Sequence, residues 1–209
     1  MTQPKYRLVV FDVDSTLVTI EGIDVLAEGN GDVTRLTEAA MNGEIPLEEV
    51  YARRLQMIRP TRAAVDALAQ RYLESIVNGA EETMGRLQRA GVIVHLVTAG
   101  IEQAVLPLGE KLGVRGVHAV RLRFAGDVYE GFEPSFLTHT GGKELVIRDV
   151  RARTKGKAAM IGDGASDLEA KPAVDLFIGF GGVHIRPRVR ENADVFVTEM
   201  PAVIPYLLE

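Results

Sequence analysis

Short apolar runs that each end in small or polar residues recur along this chain, and they constrain its fold more than any other feature. The runs lie at residues 6–11, 92–97, 158–161, 176–180 and 195–197. Their lengths suit buried strands, and helix-length segments separate most of them. This alternation predicts an α/β fold with a doubly wound, mainly parallel sheet and helices on both faces. Ligand sites in such sheets lie beyond the carboxyl ends of the strands.

The pattern changes to consecutive helices over residues 22–76, where no strand-like run occurs. Pro46 suits the first turn of one of these helices. The chain has 209 residues, which exceeds the roughly 150 of an average domain. We therefore predict an α/β core domain of residues 1–15 and 77–209, with a small helical cap domain of residues 16–76 inserted after the first strand.

Three further elements follow from local patterns. A helix beyond Thr61 places Tyr72 on its apolar stripe, and this stripe predicts a buried face. A helix over residues 81–90 ends at Gly91, which suits the left-handed position after a helix. Alternating residues near 121–132 predict a β-hairpin.

Composition excludes several classes of protein. Hydrophobic residues make up 46% of the chain and charged residues 25%, which is typical of globular proteins. No apolar run approaches the roughly 18 residues of a membrane span, so we expect a cytoplasmic protein without a membrane partner. The net charge of −5 argues against a nucleic-acid partner. With no cysteine and four scattered histidines, any metal must be held by oxygen, which favours a hard cation such as Mg²⁺.

Two aspartates separated by one residue follow the first predicted strand. Alternate residues of an extended chain point the same way, so Asp12 and Asp14 place two carboxylates side by side. Two such carboxylates do not both ionise readily, so a cation neutralises them or one of them holds a proton. This pattern suggests a nucleophile beside an acid. The alternative is that both aspartates only cap a helix beginning near Ser15.

A second acidic pair follows the strand predicted at residues 158–161. Asp163 and Asp167 lie in a glycine-containing turn, where the backbone can approach a ligand closely. If the two strands are neighbours in the sheet, Asp163 comes within reach of Asp12. The alternative is an ordinary turn followed by a helix cap.

Two polar side chains stand where helices are expected to begin. Thr98 precedes a helix that we expect to begin near Ile101, where a hydroxyl and free N–H groups suit a phosphate oxygen. Lys143 begins another helix, where the helix dipole disfavours a cation, so it needs a compensating anion. The alternatives are that Thr98 is only a helix cap and that Lys143 is an exposed surface lysine.

Together these residues form an ordered set of motifs that is more specific than any one member. The motifs are Phe11-Asp12-Val13-Asp14-Ser15-Thr16, Glu21-Gly22-Ile23-Asp24, Gly141-Gly142-Lys143, Ile161-Gly162-Asp163-Gly164-Ala165-Ser166-Asp167 and Phe177-Ile178-Gly179-Phe180-Gly181-Gly182. By these motifs the chain resembles the haloacid-dehalogenase superfamily of phosphatases, and within it the members that act on O-phosphoserine. The resemblance covers residues 9–192, including the helical insertion, which the superfamily uses as a cap over its active site.

The resemblance implies a hydrolysis in two steps through a phospho-aspartate. Asp12 would attack the phosphorus, and Asp14 would protonate the leaving serine oxygen and then deprotonate the water. Mg²⁺ would be held by Asp12, the backbone carbonyl of Asp14 and Asp163, with Asp167 helping through a water. The implied product is free serine, at the end of its biosynthesis.

The resemblance also implies how the substrate is held. Thr98 and Lys143 would hold the phosphoryl oxygens. Glu21 would meet the substrate ammonium and Arg54 its carboxylate, a forked pairing that lysine does not reproduce. The implied substrate-binding residues are Glu21, Met41, Arg54, Thr98, Ala99, Gly100, Lys143 and Ser166.

The chain departs from the superfamily pattern at three places. Thr98-Ala99-Gly100 stands where Ser-Gly-Gly is usual, Leu47 replaces a phenylalanine, and Ser166 replaces threonine or asparagine. Thr98 keeps the hydroxyl of the usual serine but adds a methyl group, and Leu47 lacks the aromatic ring that the superfamily usually has in the cap. These changes leave the chemistry in place and bear on substrate affinity and choice.

Two other functions are compatible with the same acidic motifs. One is an enzyme that acts on another small phosphomonoester or passes the phosphoryl group to an alcohol. The other is a receiver-like signalling module, which has no cap and no counterpart of Asp14. The basic runs at residues 148–157 and 186–190 are interpreted as solvated helix faces. We expect a monomer or homodimer whose partner is a small-molecule substrate.

Overall fold

The computed structural model describes residues 3–209 and contains a six-stranded parallel sheet beside a two-stranded antiparallel one. The strands are β1 (Leu8–Phe11), β2 (Ile93–Ile101), β3 (Gly116–Val120), β4 (Leu122–Ala125), β5 (Val128–Phe132), β6 (Ala158–Gly162), β7 (Leu176–Phe180) and β8 (Val195–Val197). The parallel strands lie in the order β3-β2-β1-β6-β7-β8. The winding direction reverses at β1, and this reversal opens a crevice at the carboxyl ends of the central strands. The predicted doubly wound sheet is confirmed.

Ten α-helices account for most of the remaining regular structure of residues 3–209. They are α1 (Gly22–Leu26), α2 (Gly31–Met41), α3 (Leu47–Ile58), α4 (Arg62–Glu74), α5 (Ala80–Arg89), α6 (Glu102–Lys111), α7 (Gly142–Thr154), α8 (Ala165–Glu169), α9 (Pro187–Asn192) and α10 (Ile204–Leu207). Helices α1 to α4 all lie between β1 and α5, so the helical insertion after the first strand is confirmed. The segments on either side of this insertion pair through a single bridge between Val18 and Ile76.

Strand β1 is the centre of the core because all four of its residues are buried. Such a strand is covered by side chains on both faces, which explains its uninterrupted apolar sequence. Its last residue, Phe11, pairs with Leu96 of β2 on one side and Ile161 of β6 on the other. Asp12 therefore leaves the sheet beside Asp163, and the strand adjacency assumed from the sequence is confirmed.

Two elements differ from the sequence-based expectation. Strand β2 continues past residue 97 to Ile101, with an irregular register against β3 between Val97 and Ile101. The helix expected to begin near Ile101 is α6, which begins at Glu102, so its start is confirmed. Strand β3 was not expected at all. Its residues are mostly half-buried at the sheet edge, and the segment lacks the apolar run that marks a central strand.

The remaining local predictions hold. The hairpin forms from β4 and β5 with Gly126 in its turn, and Gly91 takes a left-handed conformation after α5. Thr61 caps α4 by accepting a hydrogen bond from the Ala64 N–H at 3.1 Å. Across residues 3–209, no helix has both the length and the hydrophobicity that crossing a lipid bilayer requires.

We predict that Gly142→Ala destabilises the protein more than Gly141→Ala. A Cβ on Gly142 would lie 1.7 Å from the Phe136 carbonyl oxygen, so the backbone that presents Lys143 must shift. We expect this variant to lower the free energy of unfolding by about 2 to 3 kcal/mol, as overpacking does.

Gly141 is the matched control for this change. It has a φ of +71°, but no neighbouring atom lies within 4 Å of its Cβ position, so Gly141→Ala should lower the free energy of unfolding by only about 1 kcal/mol. Urea unfolding curves measure both values. Equal losses in the two variants would contradict the steric explanation.

Candidate active site

A cavity of about 360 Å³ lies at the carboxyl end of β1, between the sheet and the inserted helices. Every residue that the sequence assigned to catalysis or substrate binding lines it. These residues are Asp12, Asp14, Glu21, Met41, Arg54, Thr98, Ala99, Gly100, Lys143 and Ser166. Leu47, one of the departures from the superfamily pattern, also lines the cavity. The fold thus brings residues from five separate stretches of the chain into one cavity.

Three buried aspartates form a cluster at the base of this site. Asp12, Asp163 and Asp167 each offer a carboxylate oxygen, and these oxygens lie within 4.8 Å of one another. The Thr16 hydroxyl donates to Asp163 Oδ1 at 3.0 Å, and the Gly164 N–H donates to Asp167 Oδ2 at 2.9 Å. These bonds hold the carboxylates in fixed orientations, so the cluster is preorganised.

Lys143 supplies positive charge to the cluster from the first turn of α7. Its Nζ lies 2.8 Å from Asp12 Oδ1 and 2.6 Å from Asp167 Oδ1. Burial favours the neutral amine, but Asp12 and Asp167 outweigh it and raise the pKa of Lys143. Lys143 therefore stays charged at the helix start, and the compensating anion expected from the sequence is this pair of aspartates.

The cluster still carries more negative than positive charge. Burial raises the pKa of Asp163 and of Asp167, and the charge of Asp12 adds to both effects. Asp12 Oδ1 is buried and, although it contacts Lys143, accepts no hydrogen bond of regular geometry from residues 3–209. Carboxylate oxygens clustered in this way suit a hard, oxygen-preferring cation. The acidic cluster is able to bind a metal ion.

Asp14 stands apart from this cluster and contacts the inserted helices. Its Oδ1 accepts hydrogen bonds from the Tyr72 hydroxyl at 2.6 Å and from the Gly22 N–H at 2.9 Å. Burial raises the pKa of Asp14 to about 7, the Tyr72 hydrogen bond opposes this shift, and the charge of Asp12 adds to it. A carboxyl group with such a pKa can both give and take a proton near neutral pH.

The Thr98-Ala99-Gly100 segment forms another part of the cavity wall. The Thr98 hydroxyl is buried and accepts a hydrogen bond from the Gly100 N–H at 3.0 Å. The Ala99 carbonyl accepts a hydrogen bond from the Tyr51 hydroxyl at 2.8 Å, which ties this wall to α3. The segment lies within β2 rather than at a helix start, so the expected placement of Thr98 at the α6 N-terminus was wrong.

The inserted helices also line the cavity, in part through Arg54. Arg54 is 5% exposed, and its Nη1 donates to the Thr37 hydroxyl at 3.1 Å. The Thr37 hydroxyl in turn donates to Asp24 Oδ1 at 2.6 Å. Arg54 Nε is buried and has no hydrogen-bond partner among the described residues. The guanidinium is therefore held in place on one side and has an unused donor.

Comparison with known proteins places this site in a family. Residues 9–170 match the haloacid dehalogenase-like hydrolase family. The chain belongs to this family. Phosphoserine phosphatases from Bos taurus and Homo sapiens are 37% and 38% identical to it, each over 96% of this chain and 93% of its own. A chloroplastic phosphoserine phosphatase from Arabidopsis thaliana is 37% identical over 94% of this chain and 70% of its own.

Solved structures agree with the sequence comparison. A phospho-aspartyl intermediate analogue of phosphoserine phosphatase superimposes with a TM-score of 0.86 and 27% identity, covering 97% of this chain and 99% of that one. A substrate-bound phosphoserine phosphatase complex gives the same TM-score and coverage with 26% identity. The resemblance stated from the motifs is confirmed.

The sequence missed three side chains that shape the site of this hydrolase. Arg186 is 11% exposed on its side chain, and its Nε donates to Asp163 Oδ2 at 3.1 Å. The interpretation of residues 186–190 as a solvated helix face was therefore wrong for Arg186. Arg186 follows the carboxyl end of β7, at the same edge of the sheet as the site. This position could have indicated that Arg186 contacts the acidic cluster. The sequence placed Tyr72 and Thr37 in helical segments. It did not predict which groups their hydroxyls would contact.

We predict that a divalent cation stabilises this hydrolase through the acidic cluster. Titration with magnesium or manganese chloride should raise the Tm by about 5 to 10 °C at about 100 times the Kd, because only the folded chain assembles the cluster. Differential scanning calorimetry measures the shift.

Asp163→Asn should abolish most of this shift, because it removes a carboxylate charge from the cluster. Asp149→Asn is the matched control, since Asp149 lies on the exposed face of α7 and pairs only with Arg153. It should keep the full shift. A cation-dependent rise of the same size in Asp163→Asn would contradict the assignment of the cluster as a metal site.

Proposed function

We propose that this enzyme hydrolyses O-phosphoserine to serine and phosphate. The observation that carries the proposal is one cavity lined by two chemically distinct groups of residues. One group is Asp12, Asp14 and Lys143, which suit a phosphoryl group, and the other is Glu21 and Arg54, which suit an amino acid. The relatives and the solved structures support the same substrate, since they are phosphoserine phosphatases and one of them is substrate-bound.

The proposed chemistry begins with attack of Asp12 on the phosphorus. A bond forms between an Asp12 carboxylate oxygen and phosphorus, and the bond between phosphorus and the serine oxygen breaks. Asp14 gives a proton to the departing oxygen, so that serine leaves as a neutral alcohol. In the second step Asp14 takes a proton from water, which attacks the phospho-aspartate, releases phosphate and restores the Asp12 carboxylate.

Residues around the phosphoryl group stabilise the charge that grows in each step. Lys143 and the Thr98 hydroxyl are the proposed ligands of the phosphoryl oxygens, with the backbone of Ala99 and Gly100 beside them. Four carboxyl groups lie close to this position, those of Asp12, Asp14, Asp163 and Asp167. Among residues 3–209, Lys143 and Arg186 are the two cations that contact them.

The proposed cofactor is Mg²⁺. Asp12, Asp163 and the backbone carbonyl of Asp14 would hold it, with Asp167 acting through a water. The donor set consists only of oxygen atoms, as Mg²⁺ prefers. When bound, the ion would neutralise charge on the phosphoryl oxygens and on the carboxylates.

The residues suited to an amino acid would set the choice of substrate. Arg54 lines the cavity, and we propose that its guanidinium binds the substrate carboxylate. Glu21 accepts a hydrogen bond from the Ser15 hydroxyl at 2.6 Å, and we propose that its carboxylate binds the ammonium group. Met41 would cover the substrate from α2, and Ser166 would lie beside the phosphate end.

We also propose that residues 16–76 act as a cap domain on a core of residues 1–15 and 77–209. Contacts across the cavity support this division, because the Glu48 carboxylate accepts hydrogen bonds from the N–H and the hydroxyl of Thr140, both at 2.8 Å. The cytoplasmic location and the monomeric or homodimeric state stay predictions.

We predict that phosphate release from phosphoserine requires Mg²⁺ and falls by about 10³-fold or more in Asp12→Asn, which loses the nucleophile. Asp14→Asn should keep the fold and also lose turnover. The measurement is phosphate release from phosphoserine, phosphothreonine, phosphoethanolamine and sugar phosphates, with and without Mg²⁺. Normal activity in Asp12→Asn would sink the mechanism, and preference for a sugar phosphate would refute the proposed substrate.

We predict that Arg54→Ala separates carboxylate recognition from catalysis. It should raise the KM for phosphoserine about 10- to 100-fold, because a charged hydrogen bond to the substrate is lost. The KM for phosphoethanolamine, which lacks the carboxylate, should change less than about threefold. Arg53→Ala is the matched control, since Arg53 is the exposed neighbour on α3. Equal effects of Arg54→Ala on both substrates would refute the assigned role.

A further inference from the structure

The two carboxylate oxygens of Asp14 have different surroundings. Oδ1 accepts one hydrogen bond from the Tyr72 hydroxyl and one from the Gly22 N–H. None of the hydrogen bonds within residues 3–209 reaches Oδ2. This second oxygen lies toward Gly100, which lines the cavity with Asp14, and a Cβ built on Gly100 would be 3.1 Å from it.

This asymmetry decides which oxygen can carry a proton. A carboxylate oxygen accepts about two hydrogen bonds, so both acceptor positions of Oδ1 are filled. The Gly22 N–H can only donate, and the buried Tyr72 hydroxyl donates to no other acceptor within residues 3–209, so a proton on Oδ1 would leave the Tyr72 hydrogen without a partner. Oδ2 has no competing donor and is the oxygen on the cavity side. A protonated Asp14 therefore carries its proton on Oδ2.

Gly22 independently supports the contact between Tyr72 and Asp14. A Cβ at this position would lie 2.0 Å from the Tyr72 hydroxyl oxygen, so any larger residue would displace the hydroxyl from Asp14. Gly22 lies in α1 with an ordinary helical backbone, so conformational freedom does not explain the glycine. The missing side chain provides the space through which Tyr72 of α4 reaches Asp14.

We propose that Tyr72 is a positioning residue for Asp14, and that its hydroxyl keeps Oδ1 as an acceptor so that Oδ2 delivers the proton to the leaving oxygen. This inference rests on the proposed function. As the Asp12 oxygen bonds to phosphorus, the electron pair of the breaking bond passes to the serine oxygen. That oxygen takes the proton from Asp14 Oδ2, and Tyr72 keeps its own proton throughout.

The test uses two substrates that differ in their need for a proton. The serine alkoxide is a poor leaving group and needs one, whereas acetyl phosphate releases acetate, which leaves unprotonated. Tyr72→Phe removes only the hydroxyl. It should lower kcat/KM for phosphoserine about tenfold and kcat/KM for acetyl phosphate less than about twofold, as expected when one hydrogen bond to the acid is lost.

Tyr51→Phe is the matched control. It removes a second buried hydroxyl from the inserted helices, one that donates to the Ala99 carbonyl and does not touch Asp14. It should change kcat/KM for both substrates by the same factor. Equal fractional losses for both substrates in Tyr72→Phe would overturn the inference, and so would an unchanged kcat/KM for phosphoserine. Wild-type enzyme that uses acetyl phosphate but not phosphoserine would instead overturn the proposed function.

A second variant tests the same geometry with the tyrosine intact. Gly22→Ala places a methyl group where the Tyr72 hydroxyl lies, so it should reproduce the selective loss for phosphoserine. Combining it with Tyr72→Phe should add little, because both changes break the same contact. Losses that multiply in the double variant would overturn the inference. Circular dichroism melts of each variant verify that the comparison is made between folded proteins.

Discussion

The site depends on the burial of three aspartates around one lysine. Moving carboxylates out of water is unfavourable unless charge and hydrogen bonds compensate it. Lys143 contacts Asp12 and Asp167, while Arg186 and Thr16 hold Asp163. Its acidity is thus a functional feature that the fold tolerates because a cation can complete it.

A second constraint is the contact between the inserted helices and the sheet. Two buried tyrosines, Tyr51 and Tyr72, reach from α3 and α4 to the catalytic end, one to the Ala99 carbonyl and the other to Asp14. The insertion therefore does more than cover the cavity. The same helices carry Arg54, the proposed ligand of the substrate carboxylate, and the hydroxyl that contacts the proposed acid Asp14. The proposed substrate binding and proton transfer therefore depend on one set of contacts.

Much of this site could be predicted from the sequence because its motifs follow strands. Asp12 and Asp163 end apolar runs, and parallel strands deliver their carboxyl ends to one edge. Arg186 was misjudged because it was interpreted together with the basic run that contains it. Other members of that run, such as Arg190, are indeed exposed. Strand β3 was missed because an edge strand needs no apolar run. Thr98 was displaced from its expected helix start because β2 continues irregularly to Ile101.

Local pattern and spacing were enough to predict the alternation of strands and helices, the insertion after β1 and the acidic residues of the site. The partners of those residues became known from the three-dimensional packing alone. Tyr72 meets Asp14 across 58 positions of the chain, and Arg186 meets Asp163 across 23. Such pairings arise when distant elements pack together. A local sequence pattern does not specify which polar group a side chain will contact.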